Sequence, residues 1–127
     1  MAKLAIDLVV ITPERKVLEE TTDSVVIPAH DGELGILPRR APLMCELGIG
    51  ALRYQKAGRT ERVMISGGFA QVHHNQVTVL TEQAVTASEL TPEVLSGADR
   101  EVTTARDAAG RARAERRARA LRSLQSA

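Results

Sequence analysis

Thr60-Glu61-Arg62-Val63-Met64-Ile65-Ser66-Gly67-Gly68-Phe69-Ala70-Gln71-Val72-His73-His74-Asn75-Gln76-Val77-Thr78-Val79-Leu80-Thr81 holds three short apolar runs, parted by Gly67-Gly68 and by His74-Asn75-Gln76. Runs of this length, rich in Val, Ile and Thr and bounded by turn residues, read as strands. Thr60–Ser66, Phe69–His73 and Val77–Thr81 are therefore expected to be extended, and Val77-Thr78-Val79-Leu80 after its turn is the clearest hairpin arm. Gly67-Gly68 lacks the Gly-Lys-Ser/Thr ending of a phosphate loop, and no helix follows it. A strand bend or a close backbone approach is the better reading.

The same pattern continues upstream. Ala5–Ile11 is rich in Ile, Leu and Val, Thr12–Lys16 is a polar turn, and Val17-Leu18 and Asp23–Ile27 resume the strands. Leu43–Leu47 and Ala51–Gln55 follow, separated by Gly48-Ile49-Gly50, and Lys56-Ala57-Gly58-Arg59 is a hairpin turn into Thr60. Many short strands at close spacing point to an antiparallel sandwich or barrel.

Pro28-Ala29-His30-Asp31-Gly32-Glu33-Leu34-Gly35-Ile36-Leu37-Pro38-Arg39-Arg40-Ala41-Pro42 interrupts this pattern with three of the five prolines and two of the nine glycines. Neither a helix nor a central strand accepts that punctuation. Yet Leu34, Ile36 and Leu37 are apolar, which predicts a built loop with a short apolar strand inside it. Asp31-Gly32 is the turn signal. Loops with so specified a backbone usually present something to a partner.

The chain has 127 residues, no Trp, one Phe and one Tyr, so its core must be aliphatic. Cys45 is the single cysteine, which excludes an internal disulfide framework and a multi-Cys metal site. Its apolar setting, Leu43-Met44-Cys45, reads as that of a small buried hydrophobe. The first residues, Met1–Asp7, lack a signal-peptide pattern, and no apolar run reaches the roughly 20 residues of a membrane span. An intracellular protein is the expectation.

From about residue 88 the period changes. Thr91 suits an N-cap, Pro92 the first helical position, and Glu93 the positive helix end. Val94, Leu95, Ala98, Val102, Ala105 and Ala109 recur at helical spacing. Gly110 is the expected break, and Arg111–Gln125 the second helix of a hairpin. On a helical wheel Ala114, Ala118, Leu121 and Leu124 share one arc, and Arg111, Arg116, Arg119 and Arg122 lie largely opposite. Arg117 sits beside the apolar arc, where its stem can snorkel. Such an Ala-dominated seam buries little area, so docking is worth only a few kcal/mol, about 25 cal/mol per Å2.

The net charge of +1 hides an asymmetry: residues 1–87 carry nine basic and ten acidic groups, residues 88–127 eight Arg and six acids. Six Arg against one Glu fall within residues 111–122. Arginine suits carboxylate and phosphate equally. There is no aromatic platform for bases and no basic patch on the β half, which disfavours nucleic acid. His30, His73 and His74 make no plausible metal site, because neighbouring strand residues point to opposite faces. No Ser/His/Asp or Cys/His arrangement stands out, so an enzyme is the weakest reading.

Three segments then carry a family resemblance: Gly32-Glu33-Leu34-Gly35-Ile36-Leu37-Pro38 with Ala41-Pro42-Leu43; Ser66-Gly67-Gly68-Phe69-Ala70-Gln71-Val72; and Val77-Thr78-Val79-Leu80 with Glu82-Gln83-Ala84. In this order, across nearly the whole chain, they resemble the epsilon subunits of bacterial F-type ATP synthases. The resemblance implies a mainly β N-terminal sandwich of about ten strands (residues 1–87) followed by a C-terminal α-helical hairpin (residues 88–127). It implies a non-catalytic central-stalk subunit on the cytoplasmic face of the membrane, reaching the membrane only through the complex. Its implied partners are the gamma subunit, the c-ring and, when the hairpin extends, the catalytic beta subunits; nucleic acid is not among them.

Carried onto this chain, the resemblance places Glu33, Gly32 and Gly35 against the c-ring. Arg111, Arg113, Arg116, Arg117, Arg119 and Arg122 become the candidates for an inhibitory contact with the catalytic subunits. Two departures bear on it. Arg40 stands where the family commonly has His. The Ile/Leu-Asp-x-x-Arg-Ala nucleotide motif is absent from Leu90–Ala98, so no cofactor and no tight ATP site are expected. The competing reading is a β-sandwich adaptor whose Arg-rich tail binds nucleic acid.

Overall fold

A computed structural model describes residues 5–125. The strands are β1 (Ile6–Ile11), β2 (Lys16–Thr22), β3 (Ser24–Ala29), β4 (Gly32–Ile36) and β5 (Leu43–Glu46). They continue as β6 (Ile49–Lys56), β7 (Arg59–Ser66), β8 (Phe69–His73), β9 (Gln76–Leu80) and β10 (Ala84–Thr86). A single 3-10 turn, Ala87–Glu89, leads to α1 (Pro92–Thr104) and α2 (Ala108–Ser123). The strands form two five-stranded sheets, ordered β2-β1-β9-β8-β5 and β10-β7-β6-β3-β4. All described pairings are antiparallel except β1 with β9. The fold is a β-sandwich followed by a helical hairpin, which resolves the sandwich-or-barrel alternative.

Alternation along each strand builds the core. Ile6, Leu8 and Val10 of β1, Val77 and Val79 of β9, and Ala70 and Val72 of β8 point inward. They meet Val25 and Ile27 of β3, Leu52 and Tyr54 of β6, and Val63 and Ile65 of β7. Each Val, Leu or Ile among them contributes about 1.5–3 kcal/mol on full burial. Strand β7 is apolar on both faces: Val63 and Ile65 enter this core, while Met64, fully buried between them, points the other way. Met64 meets Ala98, Ala118, Ala120, Leu121 and Leu124 in a second cluster. The consecutive run Val63-Met64-Ile65 thus marks a strand covered on both sides.

Helix α2 lies against β6 and β7, and α1 packs on α2. The expected stripe Ala114, Ala118, Leu121 and Leu124 is buried, and Ala120 joins it. The break between the helices falls at Ala105–Asp107 rather than at Gly110. Ala105 leaves the helix with φ −60° and ψ 134°, and the Asp107 carboxylate accepts the Gly110 N–H at 2.6 Å as N-cap of α2. Gly110 is therefore in the first turn of α2, and Ala105 and Ala109 do not extend the stripe of α1. The side-chain cap outweighed the glycine as a boundary signal.

The Pro28–Pro42 segment is also more regular than a loop. Its first half is a hairpin, with β3 pairing β4 from Val25↔Ile36 to Ala29↔Gly32. Pro28 is tolerated because β3 pairs with β6 only from Ser24 to Val26. Ile49 and Gly50, expected as a spacer, begin β6 instead. Residues 1–4 and 126–127 of the chain, including most of the segment read for a signal peptide, lie outside the described residues.

Candidate functional site

Three surfaces carry the candidate residues. The first is the β3–β4 hairpin with the turn after it. Gly32 opens β4 with φ +139°, a backbone that favours glycine, and a Cβ at Gly32 or Gly35 would meet nothing within 4 Å. Both glycines are exposed and leave β4, an edge strand, bare. The Glu33 carboxylate is not solitary. It lies 2.5 Å from Arg53 Nη1 of β6, across β3. Leu37-Pro38-Arg39-Arg40 then forms a turn in which the Arg40 N–H donates to the Leu37 carbonyl at 3.3 Å. Arg39 has φ +69°, and its N–H donates to Asn75 Oδ1 at 2.7 Å.

The second surface is the outward face of the first sheet. Cross-strand register places Ile11 beside Leu80, Leu80 beside Phe69, and Phe69 beside Glu46. Phe69 and Leu80 are 54% and 53% exposed, and Met44, two residues from Glu46, is 66% exposed. A shallow apolar notch of about 350 Å3 adjoins them, lined by Ile11, Pro13, Gly68 and Leu80 among others. Gly68 keeps it open: with φ +99°, its added Cβ would lie 1.9 Å from the Leu80 carbonyl oxygen. The sequence reading of Gly67-Gly68 as a close approach is realised here. The opposite end of this face is polar, with Asp7, Gln76 and His73.

The third surface is α2. Arg117, with a side chain only 19% exposed, reaches Glu101 of α1 at 3.3 Å, and its Nε donates to Gln83 Oε1 at 3.2 Å. Arg122 pairs with Asp99 of α1. Arg111 pairs with Glu115 of its own helix at 3.6 Å. Arg113, Arg116 and Arg119 are exposed and have no ion pair among the described residues. The helical wheel grouped Arg122 with the exposed set, but could not show the carboxylates of α1 that face it.

A fourth contact ties the hairpin's root to the sandwich. Arg15 Nη2, in the β1–β2 turn, lies 2.5 Å from Glu89 Oε2, and the Thr86 N–H donates to Glu89 Oε1 at 3.0 Å. That backbone hydrogen bond, the Thr86 hydroxyl and the Arg15 charge together hold the Glu89 carboxyl below its ordinary value. Burial, with Asp31 adding to it, pushes the Cys45 thiol up, which disfavours a reactive thiolate. Cys45 is half-buried rather than fully so. Among the described residues no group of three or more His, Cys, Asp or Glu could hold a metal ion. No helix among them is long and apolar enough to cross a membrane.

Against this geometry, residues 5–87 match the family model described as ATP synthase, Delta/Epsilon chain, beta-sandwich domain. The chain belongs to the ATP synthase delta/epsilon family. The match ends where β10 gives way to the 3-10 turn. An ATP synthase epsilon chain from Carboxydothermus hydrogenoformans is 49% identical over 88 residues, 69% of this chain and 66% of that protein. One from Pelotomaculum thermopropionicum is 46% identical over 83 residues, 65% of this chain and 62% of that protein. The alignments thus span less than two thirds of these family members' own length. A chain of the Euglena gracilis mitochondrial ATP synthase, in a structure of OSCP, F1 and c-ring, superposes with a TM-score of 0.70 at 25% identity, covering 99% of this chain and 82% of that one. A chain from the Tetrahymena thermophila mitochondrial ATP synthase central stalk and c-ring has the same fold, with a TM-score of 0.66 at 16% identity. The family likeness in fold therefore extends through the helical hairpin.

Proposed function

We propose that this protein is a non-catalytic central-stalk subunit of an F-type ATP synthase, coupling the gamma subunit to the c-ring during proton-driven ATP synthesis. The observation that carries the reading is the delta/epsilon sandwich match over residues 5–87, joined to a superposition that covers 99% of the chain. It acts as part of the complex, peripheral to the membrane and on its cytoplasmic face. Residues 1–87 are the anchoring part and residues 88–127 the regulatory part.

Gamma docks on the apolar end of the first sheet, at Ile11, Phe69, Leu80 and Met44. Exposed apolar patches of this kind mark protein interfaces more often than solvent. The c-ring meets the hairpin edge at Gly32, Glu33 and Gly35, with Arg40 in the turn beyond. Arg113, Arg116 and Arg119 are the groups α2 can offer an acidic segment of the catalytic beta subunits at once, and Arg111 when it leaves Glu115 of its own helix. Arg117 and Arg122 join them only by leaving Glu101 and Asp99, so in the docked state those pairs hold α2 against α1. With no aromatic side chain on α2 for bases to stack on, an acidic protein partner is favoured over nucleic acid for this helix.

The test is reconstitution. The full chain should co-purify with the solubilised ATPase subunits, and a chain lacking residues 88–127 should still do so while raising ATP hydrolysis. Failure of the full chain to associate overturns the reading. Unchanged hydrolysis on truncation, at low and high salt, overturns the regulatory part alone.

A further inference from the structure

We propose that the turn Leu37-Pro38-Arg39-Arg40 is a cationic prong that docks on carboxylates of a protein partner in the complex. This inference rests on the central-stalk reading and deepens it, because it changes the chemistry assigned to the Pro28–Pro42 segment. Of the segment's two carboxylates, Glu33 is already engaged at 2.5 Å by Arg53, and Asp31 alone is left to set against the two arginines. The segment's two guanidinium groups are not engaged. Arg39 and Arg40 are exposed, and among the described residues neither has an ion pair. The net offer of the segment to a partner is therefore positive.

The backbone supports this. Pro38 precedes Arg39, and the Leu37 carbonyl closes the turn onto the Arg40 N–H. In such a turn the residue after proline takes positive φ, and glycine or asparagine is its natural occupant. Here the position holds arginine at φ +69°. A long side chain held in the left-handed region is strained, and strain of this kind persists where surrounding structure over-determines it. The over-determination is visible. Asn75 Oδ1 accepts the Arg39 N–H at 2.7 Å, and Asn75 is itself left-handed at φ +60°, beside His74 at φ +50°. Three non-glycine left-handed residues meet at one hydrogen bond between two turns. The Asn75 carbonyl is fixed in turn by the Asp7 N–H at 2.9 Å. Asp7 forms no ion pair with the prong among the described residues; its carboxylate accepts from the Thr21 hydroxyl.

Arginine's planar fork binds a carboxylate through two parallel N–H bonds, and the central-stalk reading, which sets the subunit against protein partners, selects carboxylate over phosphate. Leu37, 66% exposed at the same turn, adds an apolar contact beside the charges. A protein surface with carboxylates beside an apolar cleft is the complement.

The experiment uses the ATP synthase complex depleted of this subunit and rebuilt with wild-type or variant chains, with affinity measured at about 50 and about 200 mM salt. In Arg39→Gly/Arg40→Ser, glycine keeps the positive-φ turn while both charges go. Affinity in low salt should fall about tenfold or more, and the salt dependence should flatten. Arg39→Lys/Arg40→Lys should recover part of the affinity and most of the salt dependence. A charge-removed variant that binds as tightly, with the same salt dependence, overturns the prong and leaves the central-stalk reading standing. Arg-dependent binding to phosphatidylserine vesicles, with none lost to the complex, also overturns it, in favour of a lipid surface. If the wild-type chain does not associate at all, both readings fall together.

Discussion

Replacing Leu121 with alanine should release α2 from the sandwich without unfolding the β part. Leu121 is fully buried in the second cluster, with Met64, Leu124 and three alanines, and half-buried Val and Leu side chains of α1 and β10 pack around them. Truncating a buried leucine costs about 2–5 kcal/mol, depending on how far the site collapses. At about 1.4 kcal/mol per tenfold, the opening equilibrium shifts by roughly 30-fold to a few thousand-fold. The ion pairs weigh less. Arg117–Glu101 and Arg122–Asp99 join α2 to α1, while Arg117 also donates to Gln83 of the sandwich; ion pairs reached by solvent are worth about 0–1 kcal/mol each. Docking should therefore respond strongly to Leu121→Ala and weakly to salt. Any salt sensitivity of inhibition would then arise in the extended state. Amide hydrogen exchange of α1 and α2 peptides, with β1 and β9 peptides as internal reference, reads this directly. Helix amides that remain as protected as in wild type, or that open mainly on adding salt, would refute the argument that apolar burial holds the hairpin down.

Two further outcomes are expected. Gly68→Ala should cost at least about 3 kcal/mol in urea unfolding, since it combines φ +99° with a Cβ 1.9 Å from the Leu80 carbonyl oxygen. Gly35→Ala, open on all sides, is the control and should be near neutral. For Glu89 the folded carboxyl is depressed below its ordinary 4.5, chiefly by the Thr86 N–H. Its stabilisation is thus fully present above pH 4.5 and is lost as pH falls through the lower folded value. The stability gap between wild type and Glu89→Gln should be flat above that pH and close below it; thermal melts in which the gap widens on acidification would contradict the assignment.

Much of the architecture was legible in residue order. Alternating apolar runs identified most of the strands, and Thr91-Pro92-Glu93 located the start of α1, where the Thr91 hydroxyl accepts the Val94 N–H at 3.2 Å. Strand β10 was not read as a strand, because Ala84-Val85-Thr86 is only three residues long and pairs with β7. The helix break was misplaced because Gly110 is visible as a breaker in any sequence, whereas Asp107 acts only through the bond it makes to Gly110. The candidate sites were less legible still. Glu33 and Arg53 stand twenty positions apart and meet only because β3 lies between their strands.

What the sequence determined by itself is local: which segments extend, where helices begin, and the alternation that separates one strand face from the other. Those follow from backbone sterics and side-chain period, which act over a few residues. Only the tertiary structure decided which charges remain available. It paired Glu33 with Arg53, Arg117 with Glu101 and Arg122 with Asp99, while Arg39 and Arg40 were left exposed at a turn pinned by Asn75. Coulombic and hydrogen-bond partners are chosen by distance in space, and the packing of two sheets and a hairpin sets those distances.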